Sequence, residues 1–320
     1  MVKSRLSTNV LAVSGALLAA GTVQPAHASC GATFCSVNTQ WETQGAWTEP
    51  GLRLNLRYEY TDQDQLRSGA DKVEPGGVPG THDELRTLNR NMQVGVDYAI
   101  NPAWAISVQV PVVQRDHRHV HNDVPPEYEA WSLTGLGDLR LSGRYQTALG
   151  NHATAGVQFG LKLPTGKFDE TNDLGLLAER SLQPGSGTTD ALLGAYSYHR
   201  LEGAATTLFV QGLWQRPLAE RDDYQPGQQV ALDVGLRYAL TRDLNAQLQL
   251  NLLWKDRDQG LNAEPDDSGG RSMFLSPGAS YAMTTHMRLY GFVQLPLYQY
   301  VNGTQLTADW SAVAGISWRM

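Results

Sequence analysis

The sequence predicts an all-β chain, a single antiparallel transmembrane β-barrel of about twelve strands. Three observations predict it. Apolar and polar residues alternate with period 2 along most of the chain, and helical periodicity is nearly absent. The alternating segments run about 10–13 residues, longer than the usual soluble strand and matched to a tilted bilayer span. Long polar connections and tight turns follow one another in strict alternation, the pattern of long extracellular loops and short periplasmic turns. Composition agrees, because a 320-residue chain that is 41% hydrophobic is poor material for one large soluble core.

The N-terminus comes first. MVKSR is a basic n-region, LSTNVLAVSGALLAAGTV an apolar h-region, and Ala26-His27-Ala28 an Ala-x-Ala cleavage site. Residues 1–28 are therefore expected to be a cleaved signal peptide, and the mature chain to begin at Ser29. The apolar run is short and broken by Ser, Thr, Asn and Gly, which disfavours an anchor helix. Residues 29–50 are expected to form a periplasmic or plug segment, and 51–320 the barrel. Cys30 and Cys35, in CGATFC, are expected to pair as a disulfide in an oxidising compartment. A soft-metal pair and a lipidated Cys30 are the alternatives.

Twelve alternating segments follow, near 51–61, 87–99, 104–115, 136–148, 153–164, 188–199, 204–216, 229–240, 244–255, 272–283, 287–300 and 306–318. In GLRLNLRYEYT, Leu52, Leu54, Leu56, Tyr58 and Tyr60 take one face, and Arg53, Asn55, Arg57 and Glu59 the other. After odd segments come polar loops such as DQDQLRSGADKVEPGGVPGTHDE, DHRHVHNDVPPEYEAWSLTG and TGKFDETNDLGLLAERSLQPGSG; after even segments come NPA, LGNH, RLEG, TRD and TTH. A soluble sandwich would bury the apolar face. A membrane barrel turns it to lipid and lines its lumen with the polar face. The strongly charged polar faces favour the barrel. So do aromatics near segment ends, among them Tyr98, Trp104, Tyr145, Tyr238, Trp254, Trp310 and Trp318, which are suited to interfacial girdles. VQVPVVQ, LKLPTGK and VQLPLYQ each place a proline at the upper end of a strand, where a missing ladder donor is tolerated.

The blocks GLGDLRLSGRY (135–145), FGLKLPTGK (159–167) and AERSLQPGSGTTDALLGAYSY (178–198) resemble the MetA-pathway phenol-degradation family of transporter-like outer-membrane barrels. The resemblance implies a Gram-negative outer-membrane location and the passage of small molecules, aromatic ones among them. Such chains usually end on an aromatic residue, whereas this one ends Trp318-Arg319-Met320. Ile316 and Trp318 keep the parity, so an ordinary last strand with two extra residues is expected. The expected partners are outer-membrane lipid, the barrel-insertion machinery and a small solute.

The net charge of −7 becomes −9 once Lys3 and Arg5 leave with the signal, which excludes nucleic acid as a partner. Inward parity assigns Arg53, Arg57, Glu59, Asp97, Arg115, Asp138, Arg140, Arg144, Asp233 and Arg237 to the lumen, where they either select a solute or pair with one another in the wall. No Gly-x-Ser-x-Gly elbow or His-Glu-x-x-His is present, so no catalytic residue is assigned. A hydrolase built from loops ranks last. DRDQG and EPDDSGG resemble calcium loops but lack the full ligand set.

RDHRHVHN (115–122) places His117, His119 and His121 at period 2 on the lumen parity, above Arg115. Three readings stay open. One is a solvated loop. Another is a zinc or copper site, with His82 as a fourth ligand. The last is a mouth that changes charge near neutral pH. No cofactor is required by any of them.

Overall fold

A computed structural model describes residues 39, 50–76, 82–122, 125–203 and 205–320. The signal segment and the Cys30–Cys35 pair lie outside the described residues. Among the described residues fourteen extended segments appear: β1 (Gly51–Ser68), β2 (Asp71–Lys72), β3 (His82–Ala99), β4 (Trp104–His121), β5 (Glu127–Leu136), β6 (Leu139–Ala148), β7 (Ala153–Leu163), β8 (Asp190–Arg200), β9 (Thr206–Pro217), β10 (Gln229–Ala239), β11 (Leu244–Lys255), β12 (Gly270–Ala282), β13 (Met287–Val301) and β14 (Thr304–Arg319). They build twelve staves. β2 is a two-residue return on the end of β1. β5 and β6 are one stave, interrupted at Gly137-Asp138, and both pair with β4. Antiparallel pairing of β14 with β1 closes the sheet. The C-terminus takes part, since Arg53 lies opposite Arg319 and the Met320 N–H donates to Leu52 O at 2.8 Å.

Closure is what the sequence pattern demands. A backbone in hydrocarbon has no water to satisfy it, so an antiparallel sheet there must have no edge. Polarity is inverted relative to a soluble protein. Leu56, Val94, Ile106, Leu161, Val210 and Val234 are exposed on the outer face. Gln63, Asn89, Gln249, Asn251, Ser276 and Gln294 are buried, none more than 2% exposed. The inward polar groups satisfy each other: Asn89 donates to Gln63 at 2.9 Å, Asn251 to Asp233 at 2.7 Å, and Ser276 to Asn251 at 2.7 Å. At the end carrying the short turns, Tyr98, Trp104, Tyr145, Tyr238, Tyr281 and Trp318 are exposed as an aromatic girdle, with Trp104 on Tyr145 at 4.9 Å. Toward the other end Trp310 stacks on Tyr60 at 5.4 Å.

The long-loop end differs from the expectation. The segments expected at 51–61, 87–99, 104–115 and 136–148 extend to Ser68, begin at His82, run to His121, and begin at Glu127. Much of the sequence assigned to two polar loops is ladder. Outward parity explains the difference. On β4 it reads Ile106, Val108, Val110, Val112 and then Gln114, Asp116, Arg118. On β3, going outward, it reads Val96, Val94, Met92 and then Arg90. The apolar face stops where hydrocarbon stops, while the hydrogen-bond ladder continues into water. Ion pairs replace lipid contact there, with Arg86 on Asp62 (Nη2–Oδ2 2.5 Å) and Arg90 on Asp116 (3.0 Å).

Because the outer face meets lipid, Val210→Arg near the middle of β9 should destabilise the barrel by about 2–4 kcal/mol, the cost of a guanidinium at the bilayer midplane. Urea titration of folding into lipid vesicles measures it, and an unchanged midpoint would place β9 off the lipid face.

Candidate functional site

The lumen holds a cavity of about 440 Å³ that touches most of the barrel wall. Its size is set by the 164–189 connection between β7 and β8. Read as an extracellular loop from sequence, this segment folds inward, and Arg180, Ser181, Gln183, Pro184, Gly185 and Ser186 line the cavity. Four anchors hold it there.

The first anchor is Arg115 on β4, which is 4% exposed. Its Nη1 donates to Ser181 O at 3.0 Å and Leu182 O at 2.6 Å, and its Nε donates to Asn89 Oδ1 at 2.7 Å. The second is Asp138, at the break between β5 and β6. Its carboxylate accepts from the N–H groups of Gly166 (3.1 Å) and Ser186 (2.9 Å) and from Ser186 Oγ (2.8 Å). The third is Lys162 on β7, which sits between Asp138 (3.3 Å) and Asp190 (3.0 Å) and also reaches Ser186 Oγ. The fourth is apolar: Ala178 and Leu182 pack under Trp131 and Leu133 of β5. Backbones meet closely at this point. A side chain on Gly185 would lie 2.7 Å from Gly166 Cα, and one on Gly166 would lie 2.9 Å from the Gly137 carbonyl carbon. Glycine is needed at these positions for close approach.

Arg180 braces the inserted segment internally and ties it to the β9–β10 connection. Its guanidinium lies over Phe168 at 4.5 Å and Tyr224 at 4.9 Å, and Nη2 donates to Ser186 O at 2.9 Å. Burial and the adjacent Asp258 push the Tyr224 phenol well above its ordinary value. It therefore keeps its proton and donates to Asp258 Oδ2 at 3.1 Å, while Lys255 holds Asp258 Oδ1 at 2.8 Å. Desolvation lowers the Arg180 pKa, and the two aromatic faces compensate for lost water.

Of the residues assigned to the lumen by parity, Arg57, Glu59, Arg115, Asp138, Arg140 and Asp233 line this cavity. Arg57 pairs with Glu59 and donates to Thr39 Oγ1 at 2.7 Å, so residue 39 of the N-terminal segment stands inside the barrel. Arg140 donates to Gln215 at 3.2 Å. Arg237 instead borders a separate cavity of about 160 Å³ at the short-turn end. Arg53, Asp97 and Arg144 lie outside both cavities; Asp97 stands opposite Arg53 in the ladder and accepts from Ser107 at 2.6 Å. Sequence parity missed Lys162, Arg180, Asp190, Tyr224 and Lys255. Lys162 keeps the inward parity of Gln158 on β7, a signal that was readable in the sequence.

The histidines occupy strand rather than loop. His117 is 1% exposed, and its Nδ1 is 2.8 Å from Thr87 Oγ1. His119 and His121 lie beyond it with Glu129 of β5, at Nε2–Oε distances of 3.2 and 3.5 Å. His82 lies opposite His121 in the β3–β4 register; its side chain is outside the described residues.

Lys162→Met would leave Asp138 and Asp190 buried without their shared cation. Loss of one partner of a buried pair costs about 3–5 kcal/mol, and water in the cavity brings the expected loss toward the lower figure. Unfolding in vesicles should show it, and restored stability in Lys162→Met/Asp190→Asn should confirm the cause.

Among solved structures, an outer membrane channel from Pseudomonas putida F1 aligns at a TM-score of 0.65 and 13% identity, over 86% of this chain and 97% of the channel. The NanC porin (TM-score 0.49, 10% identity, 83% of this chain and 100% of that one) and the KdgM porin (0.45, 9%, 83% and 98%) are more distant. No curated protein matches the chain. The channel likeness agrees with the closure, girdles and inverted polarity as a matter of fold. The model of the family described as "Putative MetA-pathway of phenol degradation" matches residues 98–308, well over half of the sequence, and the chain belongs to that family.

Proposed function

We propose that the barrel passes a small solute across the outer membrane, through the lumen and around the inserted 164–189 segment. The cavity carries this reading. About 440 Å³ of space is bounded by Arg57, Arg140, Lys162, Asp190 and Asp233 on one hand, and by Val113, Pro184, Leu192, Leu213 and Leu253 on the other. Such a mixed lining suits a molecule with an apolar body and one or two polar groups, because apolar walls hold the body and a few polar groups orient it. A small hydroxylated aromatic has that chemistry. The family's association with phenol degradation supports the same class.

The charged residues serve this role without trapping the solute. Most are already engaged by a wall partner, so a passing molecule exchanges hydrogen bonds instead of meeting a bare charge. The inserted segment sets the bore. Its anchors are hydrogen bonds, short ion pairs and one small apolar contact, which can open locally at lower cost than the closed ladder around them.

Liposome swelling and planar-bilayer recording test the proposal. Wild-type barrel should admit small phenolic solutes faster than disaccharides. Arg115→Ala frees the carbonyls of Ser181 and Leu182 and should raise single-channel conductance by about twofold or more, since a loosened segment uncovers part of the bore. Impermeability of both proteins to a broad solute panel would overturn the reading.

A further inference from the structure

We infer that His119, His121 and Glu129 form a binding site for one divalent first-row transition-metal ion of the zinc or copper type, set on the barrel's outer mouth apart from the solute cavity. Four arguments carry it.

The first is register. β4 and β5 pair antiparallel above the membrane, with His119 directly opposite Glu129. His121 lies two residues along β4 and therefore on the same face. Directly opposed side chains have Cβ atoms about 4.5–5.5 Å apart and diagonal ones about 7–8 Å, both within reach of a common ion for imidazole and glutamate. The ladder thus brings three donors together without any loop closure.

The second is distance. One donor atom from each residue lies within 4.8 Å of the others. His119 Nε2 is 3.2 Å from Glu129 Oε2, and His121 Nε2 is 3.5 Å from Glu129 Oε1. Tetrahedral zinc with bonds of about 2.0–2.1 Å requires donors roughly 3.3–3.4 Å apart. Each His–Glu separation lies near that value, one to each carboxylate oxygen, so a small rotation of the side chains closes the three donors around one ion.

The third is donor chemistry. Two imidazoles and one carboxylate select zinc, copper or nickel over calcium or magnesium, which prefer oxygen alone. Three protein ligands leave a coordination position for water or a fourth group.

The fourth is support. His119 is 4% exposed and its ring packs edge-on against Trp131 at 4.8 Å. His121 packs edge-on against His119 at 4.9 Å. Ligands whose rings are held by packing lose little freedom on binding, so less affinity is spent on ordering. Trp131 is also the residue under which Ala178 and Leu182 of the inserted segment pack, and its Nε1 donates to Leu176 O at 3.0 Å. His117, with its Nδ1 on Thr87, is a neighbour in the stack and lies outside this three-donor group.

The test is calorimetric titration of zinc, copper and nickel salts into the mature, untagged barrel in detergent, with Cys30 and Cys35 reduced and alkylated beforehand. One equivalent should bind. His119→Ala, His121→Ala and the isosteric Glu129→Gln should each weaken binding by about tenfold or more, since even groups that only support a ligand are worth that much. His152→Ala, at the opposite end of the barrel, should leave binding unchanged, and heat-modified gel mobility should confirm that each variant is closed. Absence of binding by all three metals, or equal affinity in wild type and Glu129→Gln, would overturn the site. Neither outcome alters solute permeation, so this inference and the proposed function fail separately.

Discussion

Everything in this molecule follows from one constraint: a backbone inside hydrocarbon must satisfy its own hydrogen bonds. Twelve antiparallel staves meet the constraint by joining β14 to β1, and no open edge then lies in the bilayer. Once the sheet is closed, each strand has two unlike faces. Lipid takes the apolar set and the lumen takes the polar set. The lumen becomes a core built from hydrogen bonds, with Gln63, Asn89, Asn251 and Asp233 in the place that Leu and Val occupy in a soluble fold.

A polar core has a consequence for function. Side chains held by hydrogen bonds need directional partners, and they leave water-accessible space wherever the partners run out. The inserted 164–189 segment is accommodated on these terms. It adds its own backbone groups to the lumen, where Arg115 and Asp138 bond several of them, while Lys162 holds Asp138 and the Ser186 hydroxyl. It brings only a small apolar foot, Ala178 and Leu182, to dock on β5. The remaining space is the cavity, bounded by charged groups that mostly have wall partners.

Much of the wall was legible in the sequence because alternation is a local signal. Leu52 to Tyr60 state their faces outright, and the tight turns state their end of the barrel. Strand ends were not legible on the same basis. The apolar parity of β4 ends at Val112, and the ladder ends at His121. A reading that follows hydrophobicity finds the membrane boundary and mistakes it for the strand boundary. The inserted segment was illegible for a different reason. Its partners are Arg115 and Asp138, dozens of residues away, and TGKFDETNDLGLLAERSLQPGSG has the composition of any polar loop. The histidine parity was readable and holds in the strand, but Glu129 could not be joined to it, because the β4–β5 register fixes that pairing and sequence alone gives no register.

The central claim is that the segment anchored inside the lumen, able to open locally, sets the bore of the proposed channel. A Cβ on Gly135 of β5 would lie 3.6 Å from Pro184 Cβ of that segment, close to the mean Cβ separation of about 3.8 Å in disulfides. Conductance of Gly135→Cys/Pro184→Cys, made with Cys30 and Cys35 replaced by serine, is therefore the most direct measurement. The account predicts that the disulfide forms under mild oxidation, holds the channel in its narrow state, and releases it on reduction with a rise in conductance. Failure of the two cysteines to join in the folded barrel, or identical conductance in the oxidised and reduced forms, would contradict it.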